Sequence, residues 1–311
     1  MNFQQLRIIR ETVRRNYNLT EVANALFTSQ SGVSKHIKDL EDELGIELFV
    51  RKGKRFLGLT EPGQGLVAIV ERMLLDAKNI KQLAEQFSNS EVGELHIATT
   101  HTQARYVLPP VVTQFKALFP KVHLVLHQAY PTEIANMLLE GRVDIGIATE
   151  ALNDVPSLVH FPYYSWTHTV IIPMGHPLEQ IAYPSLEDIA AYPIITYYTG
   201  MTGRAKIDNA FAAAGVTPDI VLSALDSDVV KTYVELGLGI GIVASVAFNS
   251  QRDSNLRMLD CTQIFEANTT HIAVRHGHYL RGYAYRFIEL CSANLTEALV
   301  RKALAAGNDD V

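Results

Sequence analysis

Two cysteines, Cys261 and Cys291, and a single tryptophan are all that this 311-residue chain has of either type. Two thiols cannot build a disulfide framework, so reduced cysteines in a cytoplasmic protein are expected. No apolar run approaches the roughly 18 residues that cross a bilayer. The longest candidate, 236–248, is short and broken by three glycines. The opening MNFQQLRIIRETVRRN carries charges where a secretory signal would need an apolar core, so no signal is expected. G-x-S-x-G, P-loop and dinucleotide fingerprints are all missing, which leaves no catalytic residue to name. His276-Gly277-His278 has no carboxylate or cysteine close in sequence, and no metal or cofactor is expected there.

What is present is unevenly distributed. The net charge of −6 argues against a nonspecific nucleic-acid coat. Yet residues 1–60 carry ten Lys/Arg against seven Asp/Glu, while the remainder holds 17 basic and 26 acidic residues. A mildly basic head on an acidic body suggests that the head is the part that meets a polyanion.

The head reads as helical. Phe3, Leu6, Ile9 and Val13 fall on one face of a first helix. A second short helix is expected after a cap at Thr20, with Val22, Ala23 and Leu26 inward. The run Thr28-Ser29-Gln30-Ser31 offers capping hydroxyls to a third helix, whose apolar stripe is Val33, Ile37, Leu40 and Leu44 and whose stop is Gly45. Two short helices across a tight turn are the helix-turn-helix plan. The outer face of the third helix offers Gln30, Ser31, Ser34, Lys35 and Lys38, polar side chains long enough for base edges and phosphates, with Thr28 and Ser29 at its start. A solvated helix face would look similar, but the next segment decides against that. Arg51, Lys52, Lys54 and Arg55 surround Gly53 between apolar residues, as in a hairpin wing laid along a phosphate backbone.

Thr60 can cap the following helix, with Glu61 and Pro62 in its first turn. Leu66, Val70, Met73, Ala77, Ile80, Ala84 and Phe87 then recur at intervals of four and three residues. So narrow a stripe points to a two-helix seam and a dimer, with Ser88-Asn89-Ser90 as a polar hinge. From Glu94 onward strands alternate with helices. Strands are expected at 95–98, 122–127, 143–148, 169–172, 194–196, 220–222, 239–243 and 271–274, and helices at 110–119, at 131–139 and from about Arg281. Such β-α-β-α-β runs imply parallel sheets in two lobes crossed twice by the chain, with a ligand cleft between them. Small hydroxyl donors gather where strands turn into helices: Thr99-Thr100-His101-Thr102-Gln103, Thr149-Glu150 and Gly200-Met201-Thr202-Gly203-Arg204. Each threonine alone would pass for a helix cap; three clusters converging on one cleft suit a reversibly bound oxyanion or carboxylate.

The stretch ANALFTSQSGVSKHIKDLEDELGIELFVR, followed by LTEPGQ, resembles the DNA-binding domain of LysR-type regulators over about residues 3–90. Ser31 and His36 depart from the proline and the glutamine or arginine common there, a change bearing on base preference. ATTHTQARY, IATEAL, TGMTGR and LDSDVVKTYVELGLGIGIVAS extend the resemblance, to about Leu295, toward the CysB-like branch of that family, regulators of sulfur assimilation and cysteine biosynthesis. The tail beyond Leu295 matches less well. The resemblance implies a cleft for sulfate or an acylated serine, at positions matching Thr100, Thr102, Gln103, Thr149 and Thr202, with Trp166 and Tyr164 lining it. It also implies an activator that meets promoter DNA and RNA polymerase as a homodimer or homotetramer.

The expected architecture is an all-α winged helix-turn-helix at 1–60, a linker helix at 61–90 and an α/β effector domain of the periplasmic-binding-protein kind at 91–311. Lobe I would take about 91–162 and 268–311, and lobe II about 163–267. A sulfonate or sulfate-ester regulator, a hydrolase and a transport-type binding protein share parts of this pattern. The missing signal and the attached head speak against the last of these.

Overall fold

The computed structural model describes residues 1–53, 55–88, 91–201 and 203–306, with Ser88 described by its backbone alone. Lys54, the hinge residues Asn89 and Ser90, Thr202 and the last five residues lie outside the described residues. The chain divides into two compact units, Met1–Glu85 and Gln86–Val311. Among the described residues no helix is long and apolar enough to cross a membrane.

In the first unit, helix α1 (Phe3–Arg14) opens on a reciprocal cap in which Asn2 and Gln5 each accept from the other's backbone N–H. Its buried face includes Leu6, Ile8, Ile9 and Thr12, whereas Phe3 in the first turn lies half in solvent. Helix α2 (Leu19–Ala25) is capped by Asn18, not Thr20; the Asn18 carboxamide accepts from the N–H groups of both Thr20 and Glu21. Helix α3 (Gln30–Leu44) starts at Ser29, whose hydroxyl accepts from Gly32 N–H at 3.1 Å, and stops at left-handed Gly45 (φ 70°). Val33, Ile37 and Leu40 point into the core, but Leu44 has run past its edge and is exposed. The buried member of that last turn is Glu41, whose carboxylate accepts from Leu48 N–H at 2.8 Å.

Strands β1 (Phe49–Lys52) and β2 (Arg55–Leu59) form an antiparallel hairpin, with Gly53 in the left-handed region its turn requires. Thr60 Oγ1 accepts from Gly63 N–H at 3.1 Å and opens helix α4 (Glu61–Ser88). A Cβ on Gly63 would stand 2.1 Å from the Leu48 carbonyl oxygen, so only glycine lets this helix lie so close to the segment that leads into β1. The long apolar stripe of α4 is split. Val70 is buried in the head's own core with Leu66 and Met73 against it, while Ile80, Ala84 and Phe87 are exposed.

The second unit holds two mixed five-stranded sheets. The first comprises β3 (Gly93–Thr99), β4 (Val122–Gln128), β5 (Ile145–Ala148), β6 (Leu158–Trp166) and β12 (Asn268–Arg275), in the order β4-β3-β5-β12-β6. The second comprises β7 (His168–Pro173), β8 (Ile194–Tyr197), β9 (Ile220–Ala224), β10 (Ile240–Ala244) and β11 (Leu256–Leu259), in the order β11-β7-β10-β8-β9. Helices α5 (Leu108–Leu118), α6 (Pro131–Leu139), α10 (Gly282–Cys291) and α11 (Glu297–Ala306) cover the first sheet. Helices α7 (Leu186–Ala190), α8 (Arg204–Ala214) and α9 (Ser227–Glu235) cover the second.

Strands β3, β4 and β5 are parallel, as are β8, β9 and β10, whereas β12 runs antiparallel to β5 and β7 antiparallel to β10. The parallel β-α-β-α-β runs read from the sequence are present in both lobes, and the reversed strands β12 and β7 make each sheet mixed. Strand β6 escaped that reading because Pro162 interrupts its pattern. An edge strand tolerates the proline, and the register shifts beside it, opposite Thr270 and His271. Because β6 runs in the first sheet to Trp166 and β7 begins at His168, the chain crosses between lobes at Thr167, later than the 162–163 expected. Tyr164 and Trp166 thus stand on lobe I.

Candidate functional site

In the head, α3 exposes Gln30, Ser31, Lys35 and Lys38, with Ser34 half-buried beside them. Thr28 and Ser29 are exposed at its start, although the Ser29 hydroxyl is occupied as the cap and lies 3.1 Å from that of Ser31. Lys52 and Arg55 are exposed on the hairpin. Arg51 is less free than its neighbours. Its guanidinium pairs with buried Glu41 and lies 4.7 Å over the Phe56 ring, so it holds the hairpin onto α3. A groove of about 620 Å³ opens beside the hairpin, with Gln30 and Arg55 on its walls.

In the second unit, strand ends from lobe I converge on one hydroxyl. Thr270 Oγ1, near the start of β12, lies 3.0 Å from Trp166 Nε1, 3.2 Å from Thr149 Oγ1 and 3.4 Å from Gln103 Nε2. Trp166 can only donate, and so does the Gln103 amide nitrogen, so Thr270 is an acceptor to both. Tyr164 completes the ring, its hydroxyl donating to Gln103 Oε1 at 2.6 Å. Burial raises the Tyr164 phenol, so it stays a donor at neutral pH. Gln103, Thr149, Trp166 and Tyr164 were singled out from sequence and meet here; Thr270 was not. The signal was available. In β12 the buried positions alternate through Asn268, Thr270 and Ile272 before both faces are covered at Ala273 and Val274, and the first two are polar where a plain core strand would be apolar.

Thr100 and Thr102 are buried at the start of the helical segment that follows β3, where Thr100 C=O accepts from Ala104 N–H at 3.1 Å. Gln103–Val107 forms a π-helical turn before α5. Such turns cost regular hydrogen bonding and recur at functional sites. Next to it, Thr99 Oγ1 is buried without a partner among the described residues. Across the gap, Gly203 in the left-handed region (φ 68°) precedes α8 in lobe II, and its N–H donates to the carboxylate of Glu150 from lobe I. Gly203 is pressed against the same strand. A Cβ there would meet Asn268 Oδ1 at 2.6 Å and His168 Cε1 at 2.8 Å.

A second lobe-to-lobe contact flanks the first. Asp226 caps α9 through Val229 N–H at 2.9 Å, as caps do, but Asp228 turns outward to accept from Tyr106 OH at 2.7 Å and Arg105 Nε at 3.2 Å. Burial opposes its ionisation, yet the Tyr106 hydroxyl, Lys231 and Arg105 together hold the Asp228 carboxyl below its ordinary range. His101, Asp226 and Asp228 bring possible metal-ligand atoms within 4.8 Å of one another, but protein cations already neutralise Asp228. His278, which seemed in sequence to have no carboxylate at hand, lies 3.0 Å from Asp144, and Asp144 also accepts from His96 N–H, a buried structural tie.

Two family descriptions match the chain: "Bacterial regulatory helix-turn-helix protein, lysR family" over residues 3–64 and "LysR substrate binding domain" over residues 88–296. The chain is 58% identical to the HTH-type transcriptional regulator SsuR of Burkholderia cenocepacia, over 98% of this chain and 100% of that protein. To the HTH-type transcriptional regulator CysB of the same organism it is 49% identical, over 98% of this chain and 97% of that protein. A crystal structure of the cofactor-binding domain of the Cbl transcriptional regulator superposes with a TM-score of 0.66 at 51% identity, covering 68% of this chain and 93% of that one.

Proposed function

The chain belongs to the LysR family of bacterial regulatory helix-turn-helix proteins, and from that premise we propose that it is a cytoplasmic transcription activator of sulfur assimilation and cysteine biosynthesis genes. It is a regulator and not an enzyme. Gln30, Ser31, Ser34, Lys35 and Lys38 would face bases and phosphates of double-stranded promoter DNA, with Thr28 and Ser29 at the helix start. Lys52, Lys54 and Arg55 would follow the backbone, and Arg51 would add charge from its fixed place.

The observation that carries the effector reading is the convergence of Gln103, Thr149, Trp166 and Tyr164 on Thr270, at strand ends facing a second lobe. Neutral donors of this kind hold an oxyanion reversibly, and Thr100, Thr102 and Thr202 would complete the set for an acylated serine, sulfate or a related sulfur anion. No cofactor is needed. Closure of the cleft would change how second units pack in a homodimer or homotetramer. That would alter the spacing of the DNA heads presented to promoter and RNA polymerase, by no more than the ligand's differential affinity for the two arrangements.

Footprinting of the full chain on a promoter, with and without N-acetylserine or sulfate, tests this. A ligand-dependent change in footprint or bend is expected; identical footprints despite measured binding would sink the mechanism. A second reading, a paralogous regulator of sulfonate or sulfate-ester use, is favoured by one observation. The chain is nearer in sequence to the regulator named SsuR than to the one named CysB. Expression profiling of a deletion strain grown on cysteine-free sulfate or on a sulfonate separates the two.

A further inference from the structure

A carboxylate is an odd side chain to find in a cleft built for anions. Thr149, at the end of β5, directs its hydroxyl to Thr270, and the next residue, Glu150, reaches across to lobe II, where its Oε1 accepts from Gly203 N–H. That N–H stands just before α8, the kind of backbone donor that an oxyanion uses. The close approach of Gly203 to Asn268, two residues from Thr270 on the inward face of β12, places this donor beside the hydroxyl cluster. The other oxygen, Oε2, is buried and has no partner among the described residues. Burial raises the Glu150 carboxyl, against the pull of the Gly203 N–H, its own backbone N–H and Lys206. A glutamine could accept the same bond without bringing a charge out of water, so packing alone does not account for a glutamate.

We propose that Glu150 is a tethered stand-in for the effector's anionic group: without ligand its carboxylate occupies Gly203 N–H and links the lobes, and an incoming oxyanion must displace it. The inference rests on the reading of this cleft as the effector site and adds the residue that sets its threshold. A tethered carboxylate competes at high effective concentration and also repels a second anion at close range. It thereby holds affinity for a bare oxyanion well below what the donors alone would give, and ligand arrival exchanges one lobe-to-lobe link for another.

The test is calorimetric titration of the full chain with sodium sulfate, comparing the unaltered protein with Glu150→Gln and, in both backgrounds, Thr149→Val. Removing the charge is expected to tighten sulfate binding by at least about tenfold, with Thr149→Val weakening it in either background. If Glu150→Gln melts cooperatively but binds sulfate no more tightly than the unaltered protein, the stand-in role is overturned while the Thr149 effect keeps the cleft reading intact. If neither protein binds sulfate in the millimolar range, both readings fall. Should Glu150→Gln not fold, Glu150→Ala takes its place with the same expectation.

Discussion

The hydroxyl of Tyr164 donates to Gln103 Oε1 at 2.6 Å, and this one bond decides which way the Gln103 amide faces. With its oxygen engaged, Gln103 turns its nitrogen toward Thr270, which fixes the amide within the hydroxyl cluster. Tyr164→Phe frees the amide to rotate. The expected outcome is a fold that stays intact with oxyanion affinity lowered several-fold, read by titration beside a thermal melt; unchanged affinity would mean that the amide is oriented by something else.

Thr270→Val keeps the shape of the strand but removes the acceptor from Trp166 Nε1, a buried donor-only group. An orphaned buried donor costs about 1–3 kcal/mol. Chemical denaturation should therefore show a destabilised second unit, with the first unit's transition unmoved.

Arg51 and Lys52 are adjacent cations with different duties. Lys52→Ala should weaken DNA binding evenly across sequences and reduce the salt dependence by about one phosphate contact, leaving stability unchanged. Arg51→Ala should do the same and also lower the melting temperature of the head, because buried Glu41 loses its cationic partner and Phe56 its cover.

The split stripe of α4 separates fold from assembly. Val70→Asp should unfold the head, since Val70 lies in that core. Ile80→Asp, at a position 68% exposed, should leave it folded and shift sedimentation toward smaller species. A folded Ile80→Asp with unchanged sedimentation would place the oligomer seam elsewhere.

Burial pushes the Cys261 thiol up to about 11 from 9.0 and Cys291 up to about 12. Both should react slowly with thiol reagents at pH 7.5 and rapidly once denaturant exposes them. The sign of the linkage follows. The unfolded thiols lose protons first, so stability present below pH 9.0 falls as pH rises toward 11 and beyond. Unfolding titrations across that window should show the decline, and Cys261→Ala should shrink it.

Several boundaries were legible without coordinates because they depend on neighbours in sequence. Gly45 stops α3 and Thr60 opens α4 through local backbone geometry, and the helix spacing of Val33, Ile37 and Leu40 needs only the 3.6-residue period. The threonine-rich strand ends were visible for the same reason, as caps and turns are local. The seam of α4 was half legible: its period was plain, but whether Leu66 or Ile80 meets the head or a partner depends on where that core ends.

The inventory follows from residue order and type: a basic head, a heptad-spaced helix, alternating strands, and polar donors at their ends. Tertiary structure alone decided which of these meet. Thr270 became the centre of the cluster because strands far apart in the chain lie side by side, and Arg51 was tied to Glu41 because the hairpin folds back onto α3. Asp228 came to face Tyr106, and Glu150 to face Gly203, because two lobes meet there. The physical reason is range. Capping and periodicity act over a few residues, whereas pairing across 121 positions, as between Thr149 and Thr270, is set by the packing of whole sheets.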